Sequence, residues 1–371
     1  MNKHTPISLF DAPHLSWEQL LAAYEPLAQL AQCPQDAFYH AEGDVLKHTK
    51  MVINELKKMP AYKQLDKKAQ TILYIAALLH DIGKPATTTL EENGRISSKG
   101  HAKVGEKMAR FLLAQENMDW QTKEEICGLV RHHGLPIWFL EKNNPQKTLL
   151  EANCVCNLYW LSILAEADIR GRICQDQENM LLKITLFREF CIENKCYDKK
   201  YHFFSDHSRF LYFHKEDKTP DYQAYDNTQM TVYLMCGLPG AGKNTWIAQN
   251  LPHLPVVALD DIRQELAVDF KDNQGQVLQM AEERAKSWLR KKQSFVWNAT
   301  NLIRQRRRKL IDLFASYGAR IVIVWLHKPL ETILAQNKQR PTPVKEAVIY
   351  QFLERTEAPN LTEGHELWVV E

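Results

Sequence analysis

Two sets of side chains in this 371-residue chain have the types and spacing for phosphate chemistry, and they lie in opposite halves. The first is dispersed: His48, His80, Asp81 and Asp168, with His101, His132 and His133 between them. Imidazoles and carboxylates that converge on one point hold a divalent metal ion. The second is contiguous, Gly237-Leu-Pro-Gly-Ala-Gly-Lys-Asn-Thr245. Its glycine-and-lysine spacing is that of a loop whose backbone N–H groups surround a polyphosphate. Gly237, Gly240, Gly242, Lys243, Asn244 and Thr245 are then the nucleotide-binding set. Lys243 reaches the β/γ-phosphates, and the helix that follows adds its N-terminal dipole. Asn244 stands where a serine or threonine normally meets Mg²⁺.

The dispersed set gains weight from helical periodicity. His48 lies three residues after Val45 and four before Val52, on the face they share. His80 follows Leu73, Ala76 and Ala77 at seven, four and three residues, and Asp168 follows Leu161, Leu164 and Ala165 in the same way. A buried carboxylate is costly to leave unpaired, and a shared metal satisfies all four groups together. One or two ions of Mn, Ni, Co, Fe, Cu or Zn suit such donors. His101, His132 and His133 are placed to hold a second ion or a substrate phosphate, and His40 is a further candidate. Lys84 and Arg170 or Arg172 are available to neutralise phosphoryl oxygens. The two arginines read equally well as surface ion pairs.

Long helical patterns must position these residues. Val45, Thr49, Val52, Ile53 and Leu56 mark one helix, and Ile72 to Leu79 another that Gly83 and Pro85 terminate. Further patterns cover about 103–116, 122–132, 148–168 and 178–193, so residues 1–198 read as an all-α domain. An aromatic-rich connector follows at 199–226, read as a short strand plus an ordered crossover. Its aromatics are suited either to packing or to stacking nucleobases. Residues 227–371 alternate short apolar strands with amphipathic helices, the pattern of a parallel sheet covered on both sides.

Ligands bind such sheets at the carboxyl ends of the strands. Asp260-Asp-Ile-Arg263 follows the second strand, and Ala299-Thr300-Asn301 follows the third. Thr300 and Asn301 are candidate acceptor contacts. A basic run, Arg304 to Lys309, comes next and reads as a solvated helix face or a track for a nucleic-acid backbone. Arg340 lies in a lid-like segment where it can clamp a transferring phosphate. No aspartate ends the third strand, so no Walker-B carboxylate is evident.

Composition sets outer bounds. Hydrophobic content of 45% and charged content of 25% are those of globular domains, and the length suggests two or three of them. Eight scattered cysteines follow neither a disulfide framework nor a zinc-ribbon spacing. The first residues lack a signal-peptide pattern, and no apolar run is long enough to span a bilayer, so a cytoplasmic protein without a membrane partner is expected.

His48, His80-Asp81 with Gly83-Lys84, and Asp168 resemble the motif of the HD phosphohydrolase superfamily. Glu42 to Thr49 looks like the opening helix of HD domains found beside tRNA-end-processing enzymes. The resemblance implies metal-dependent phosphomonoester or phosphodiester hydrolysis, with His80, Asp81 and Lys84 in the catalytic centre. The second half is similar to polynucleotide 5′-kinases of the phage type, through the loop at Gly237, Asp260 to Arg263, Ala299 to Asn301, and Arg340. That similarity implies that Asp260 is the general base and that Lys243 and Arg340 stabilise the transition state. It also implies that Arg263 holds the acceptor, with ATP or GTP and Mg²⁺ or Mn²⁺ required. Asn244 and Ala299 depart from the pattern. In this order, the halves look like bacterial end-healing enzymes that fuse an HD phosphoesterase to a polynucleotide kinase. RNA or DNA ends are then the implied substrates, and a nucleic-acid ligase the functional partner. An HD phosphohydrolase of free or signalling nucleotides fused to a small-molecule kinase is the alternative.

Overall fold

The computed structural model describes residues 7–371 except 117, 270, 271 and 341, so most of the N-terminal stretch read for a signal peptide lies outside the described residues. The chain forms two compact units, Met1–Tyr201 and His202–Glu371.

The first unit is helical. Helix α1 (Val45–Lys58) starts at Asp44, whose carboxylate accepts from the Lys47 N–H. This side-chain acceptor satisfies one of the free donors of the first turn. Its apolar stripe is buried, and His48 and Thr49 are buried with it. Helix α2 (Lys67–Leu79) is capped by Asp66 in the same manner and is buried continuously from Ile72 to Leu79. A helix apolar all round sits inside a bundle. A small antiparallel hairpin, β1 (Thr89–Leu90) and β2 (Ile96–Ser97), precedes α3 (His101–Leu113) and α4 (Trp120–His132). The expected single helix at 148–168 is two, α5 (Pro145–Val155) and α6 (Leu158–Arg170), bent by 102°. Cys156 and Asn157 both have extended backbone at the break, and the Asn157 side chain caps α6 by accepting from the Trp160 N–H. Helix α7 (Gln177–Glu193) follows. Among the described residues no single helix is long and apolar enough to cross a membrane.

Two glycines let these helices approach closely. A Cβ on Gly83 would lie 2.2 Å from the His101 carbonyl oxygen and 2.6 Å from the Gly105 nitrogen. A Cβ on Gly171 would lie 2.7 Å from the Val52 nitrogen. The first contact brings the start of α3 against the turn that ends α2, and the second brings the end of α6 against α1.

The second unit begins inside the expected connector. No strand is assigned at 202–226; residues Asp206–His214 form helix α8, capped by the Ser205 hydroxyl on the Ser208 N–H. The aromatics taken as alternating have a helical period: His207, Phe210 and His214 share one face. Phe210 is stacked between His214 and His365, 4.1 Å from each ring, which answers the connector's two readings in favour of packing at that residue.

The sheet is wholly parallel, in the order β4-β5-β3-β6-β7. Its strands are β3 (Met230–Cys236), β4 (Val256–Ala258), β5 (Phe295–Asn298), β6 (Ala319–Leu326) and β7 (Glu366–Val370). The central pair, β3 and β6, is buried from Val232 and Ile321 onward apart from Tyr233, as strands covered on both faces must be. Six helices connect them: α9 (Lys243–Asn250), α10 (Leu259–Glu265), α11 (Gly275–Arg290), α12 (Arg304–Ser316), α13 (Leu330–Lys338) and α14 (Glu346–Glu354).

Candidate functional site

The dispersed histidines and aspartates of the first unit converge. His48 comes from α1, His80 and Asp81 from the turn ending α2, His101 from the start of α3, His133 from the turn after α4, and Asp168 from the last turn of α6. All but His101 are buried. His48, His80 and Asp168 each offer a donor atom within 4.8 Å of the others, and Asp81, His101 and His133 form a second such triad. Asp81 joins the two. Its Oδ2 lies 3.2 Å from His80 Nε2 and 3.8 Å from His48 Nε2, while Oδ1 lies 3.4 Å from His101 Nε2 and 3.9 Å from His133 Nε2.

Backbone carbonyls set the tautomers. His80, His101 and His133 place Nδ1 2.8 Å from the carbonyls of Ala77, Ser98 and Val130 respectively. A carbonyl only accepts, so each Nδ1 carries a proton and each ring turns its Nε2 inward. His101 Nε2 and His133 Nε2 then face one another at 3.2 Å. His48 Nε2 faces Asp168 Oδ1 at 3.0 Å, while its Nδ1 lies 3.0 Å from Glu42 Oε1. Lone pairs crowded together repel unless a cation or proton lies between them. His48 Nδ1, His80 Nε2 and Asp81 Oδ2 also lack hydrogen-bond geometry to any partner, although buried. These residues would hold one or two divalent ions, with His48, His80 and Asp168 offering donors around one point and Asp81, His101 and His133 around another. The far ring nitrogens of His80, His101 and His133 are hydrogen-bonded, as ligating histidines require.

Charge is arranged accordingly. Burial pushes the Asp81 carboxyl up, but Lys84 and His80 outweigh it and hold the group well below its usual range. Arg172 and His48 do the same for Asp168. Burial, reinforced by His101 and His80, drives His133 down to about 3, so it stays neutral and able to ligate.

Other candidates take definite places. Lys84 Nζ lies 2.7 Å from Asp81 Oδ2 and donates to Gln35 Oε1. Arg172 donates to both oxygens of Asp168, and Arg170 pairs with the half-buried Glu166. His132 belongs to none of the donor groups found among the described residues. His40 does: its Nδ1 donates to Glu42 Oε1 at 2.8 Å, and its ring centroid is 4.8 Å from that of His48. Glu42 was not among the residues singled out from sequence. It anchors both His40 and His48, and the Ile173 N–H donates to its other oxygen. Its adjacency to His40 just before α1 was the available signal.

In the second unit the loop Gly237–Gly242 leaves the carboxyl end of β3, with positive φ at Gly237, Gly240 and Gly242. At Gly237 a Cβ would meet the Leu326 carbonyl oxygen at 3.0 Å. Lys243 Nζ donates to the carbonyls of Gly237 and Leu238, both at 2.9 Å, curling along the loop. Burial pushes its pKa down to about 8; Asp260 opposes this and Arg340 adds to it, so both charges reach the lysine. Asp260, in the first turn of α10, pairs with Arg263, which also donates to Gln274. The two residues with separate expected roles are here each other's partners.

Asn244 accepts from Asn298 Nδ2 at 2.8 Å. Two neutral amides thus occupy the end of β5 and the first turn of α9, where a hydroxyl and a carboxylate ordinarily share Mg²⁺. Asn301 is buried, has φ 48° and donates to the Met235 carbonyl, while the Thr300 carbonyl accepts from the Gly237 N–H. Their resolved bonds brace the phosphate loop from below. Arg340 follows Asn337, whose amide exchanges two hydrogen bonds with the Val344 backbone and ties the lid-like segment to α13.

The basic run on α12 is not one surface. Arg307 is buried, donating to both oxygens of Glu363 and to the carbonyls of Asn301 and Glu357. Arg304 bonds Thr362 and Arg308 bonds Asp312.

Comparison with known proteins agrees with this division. A family model described as an HD domain matches residues 45–158, and one described as an AAA domain matches residues 232–359. The chain is 32% identical over 131 residues to a CC-adding tRNA nucleotidyltransferase of Thermus thermophilus. That match covers 35% of this chain and 28% of the relative. A solved structure from Chloroflexus aurantiacus, titled as a candidate kinase, is 17% identical and matches at a TM-score of 0.31 over 39% of this chain and 86% of that one. The HD-domain match thus falls in the unit that carries the imidazole–carboxylate cluster, and the AAA-domain match in the unit that carries the phosphate loop and the parallel sheet.

Proposed function

We propose that the chain heals nucleic-acid ends: the HD domain removes 2′,3′-cyclic, 2′- or 3′-phosphates, and the P-loop domain phosphorylates 5′-hydroxyls from an NTP. The observation that carries this reading is the presence in one chain of an inward-facing imidazole–carboxylate cluster and a lysine-bearing phosphate loop. One chemistry takes a phosphate off and the other puts one on. A broken strand with a terminal cyclic phosphate and a 5′-hydroxyl needs both before a ligase can join it. The relative named for adding CC to tRNA supports RNA ends as substrates.

A divalent ion in the first site supplies a Lewis acid and lets water act as a nucleophile near neutral pH. The protein's own part is positional. Carbonyl-fixed histidines aim their Nε2 atoms inward, Glu42 orients His48, and Lys84 lies beside Asp81 to meet a phosphoryl oxygen. In the second site Asp260 accepts the proton of the attacking hydroxyl once Arg263 turns to the acceptor. Lys243 and Arg340 then neutralise the transferring group.

His80→Ala is expected to abolish removal of a terminal phosphate from an oligonucleotide and to spare 5′-phosphorylation; Lys243→Ala is expected to do the reverse. A wild type that phosphorylates a free nucleoside but no 5′-hydroxyl oligonucleotide would favour the small-molecule alternative.

A further inference from the structure

Two aromatic rings stand exposed beside the first site. Phe38 is 55% and Tyr39 38% exposed, and Tyr39 is the residue before His40, whose ring lies against His48. The rings meet edge to face at 4.9 Å. Arg95, the residue before β2, stands over both, 5.3 Å from one centroid and 5.4 Å from the other. Its guanidinium is fixed by two hydrogen bonds to Asp36. The same carboxylate accepts from the backbone N–H groups of Phe38 and Ile96, so loop and hairpin are pinned together. Across the loop, Ile173 is 52% exposed, while its backbone bonds Ala41 and Glu42.

Exposed rings grouped beside a polar cluster mark a surface that a ligand can cover. The covering group here must suit a flat aromatic surface, tolerate a fixed cation and end in a phosphate that reaches the cluster. A nucleotide meets all three conditions. We infer that Phe38, Tyr39 and Arg95 form a stacking platform for the terminal nucleobase of the strand whose phosphate the first site removes. This rests on the end-healing reading and adds how the end is held. Stacking is indifferent to base identity, because every base has a π-face. The platform therefore selects a nucleotide end over other phosphoesters without selecting a sequence.

The test uses the metal-loaded full chain and three substrates: a 3′-phosphorylated oligonucleotide, the same strand ending in an abasic 3′-phosphate, and glycerol 2-phosphate. Phe38→Ala and Tyr39→Ala are expected to raise KM for the base-bearing end by about tenfold or more, the scale of one lost base–aromatic stack, with kcat kept. The abasic end and glycerol 2-phosphate should be processed as by wild type. Phe38→Tyr should restore the base-bearing KM. Equal losses on all three substrates would mean that the rings only pin the loop, and unchanged KM would mean that no base rests there; either overturns the platform alone. A wild type that hydrolyses glycerol 2-phosphate but neither oligonucleotide end would remove the end-healing reading and the platform with it.

Discussion

Glu42 shows how one side chain prepares a ligand it does not replace. It accepts from His40 Nδ1, lies 3.0 Å from His48 Nδ1, and is held ionised because those two histidines outweigh the cost of burial. Removing such an outer partner typically weakens metal binding by about 10- to 100-fold. Glu42→Gln should fall in that range when the first site competes with a chromophoric chelator, with the melting temperature of the apo protein little changed. Affinity equal to wild type would show that His48 needs no orienting acid. This residue was hidden in sequence for a physical reason. A ligand histidine betrays itself by sitting on an apolar stripe, whereas its supporting acid lies in a loop where no periodicity marks it. Asn298 is similar, since only the fold brings it to Asn244 across 54 positions.

Among the elements, helix faces and strand ends were the legible part. The apolar stripes placed His48, His80 and Asp168 inward, and the parallel strands appeared where short apolar runs did. What periodicity cannot convey is how near two helices come. That distance is set by Gly83 and Gly171, each of which looks like ordinary punctuation in the sequence. A methyl group on Gly83 must displace the His101 carbonyl, and with it the ring that helps complete the second donor triad. Gly83→Ala is expected to cost about 1–3 kcal/mol in urea unfolding, as overpacking does, and to weaken metal binding beyond what the stability loss explains. A variant with wild-type metal affinity would show that the His101 side of the cluster is dispensable. The basic run on α12 was misleading in the opposite sense: composition counted its arginines alike, and the fold buried Arg307.

For the molecule as a whole, each compact unit buries histidines that burial holds neutral, His133 in the first and His365 in the second, so both should lose stability in acid. His365 in the second unit is buried, with Nδ1 accepting from the Ile321 N–H and the other ring nitrogen 3.0 Å from His207. Burial first, then His207 and Arg320, push its pKa down to about 3, with Asp226 opposing. An unfolded histidine titrates near 6.5. Between about pH 6.5 and 3 the unfolded chain therefore binds the extra proton. The stabilisation is complete above that window and is lost as pH falls through it. His214, pushed to about 4, acts in the same direction. Amide exchange at Ile321 should accelerate as pH is lowered from 7 to 4, after correction for intrinsic rates, and His365→Gln should flatten that trend. A slope unchanged in the variant would exclude His365 as the source.

Arg307 gives the second unit a mechanical property. Its Nε and Nη2 donate to the Glu363 carboxylate, while Nη1 donates to both the Glu357 and the Asn301 carbonyls. Asn301 in turn holds the Met235 carbonyl at the end of the strand that leads into the phosphate loop. Force applied to residues 357–363 is thus transmitted in three rigid steps to the ground beneath Lys243. Breaking the buried Arg307–Glu363 pair is therefore expected to slacken the loop from a distance. That makes the segment a remote brake on the loop.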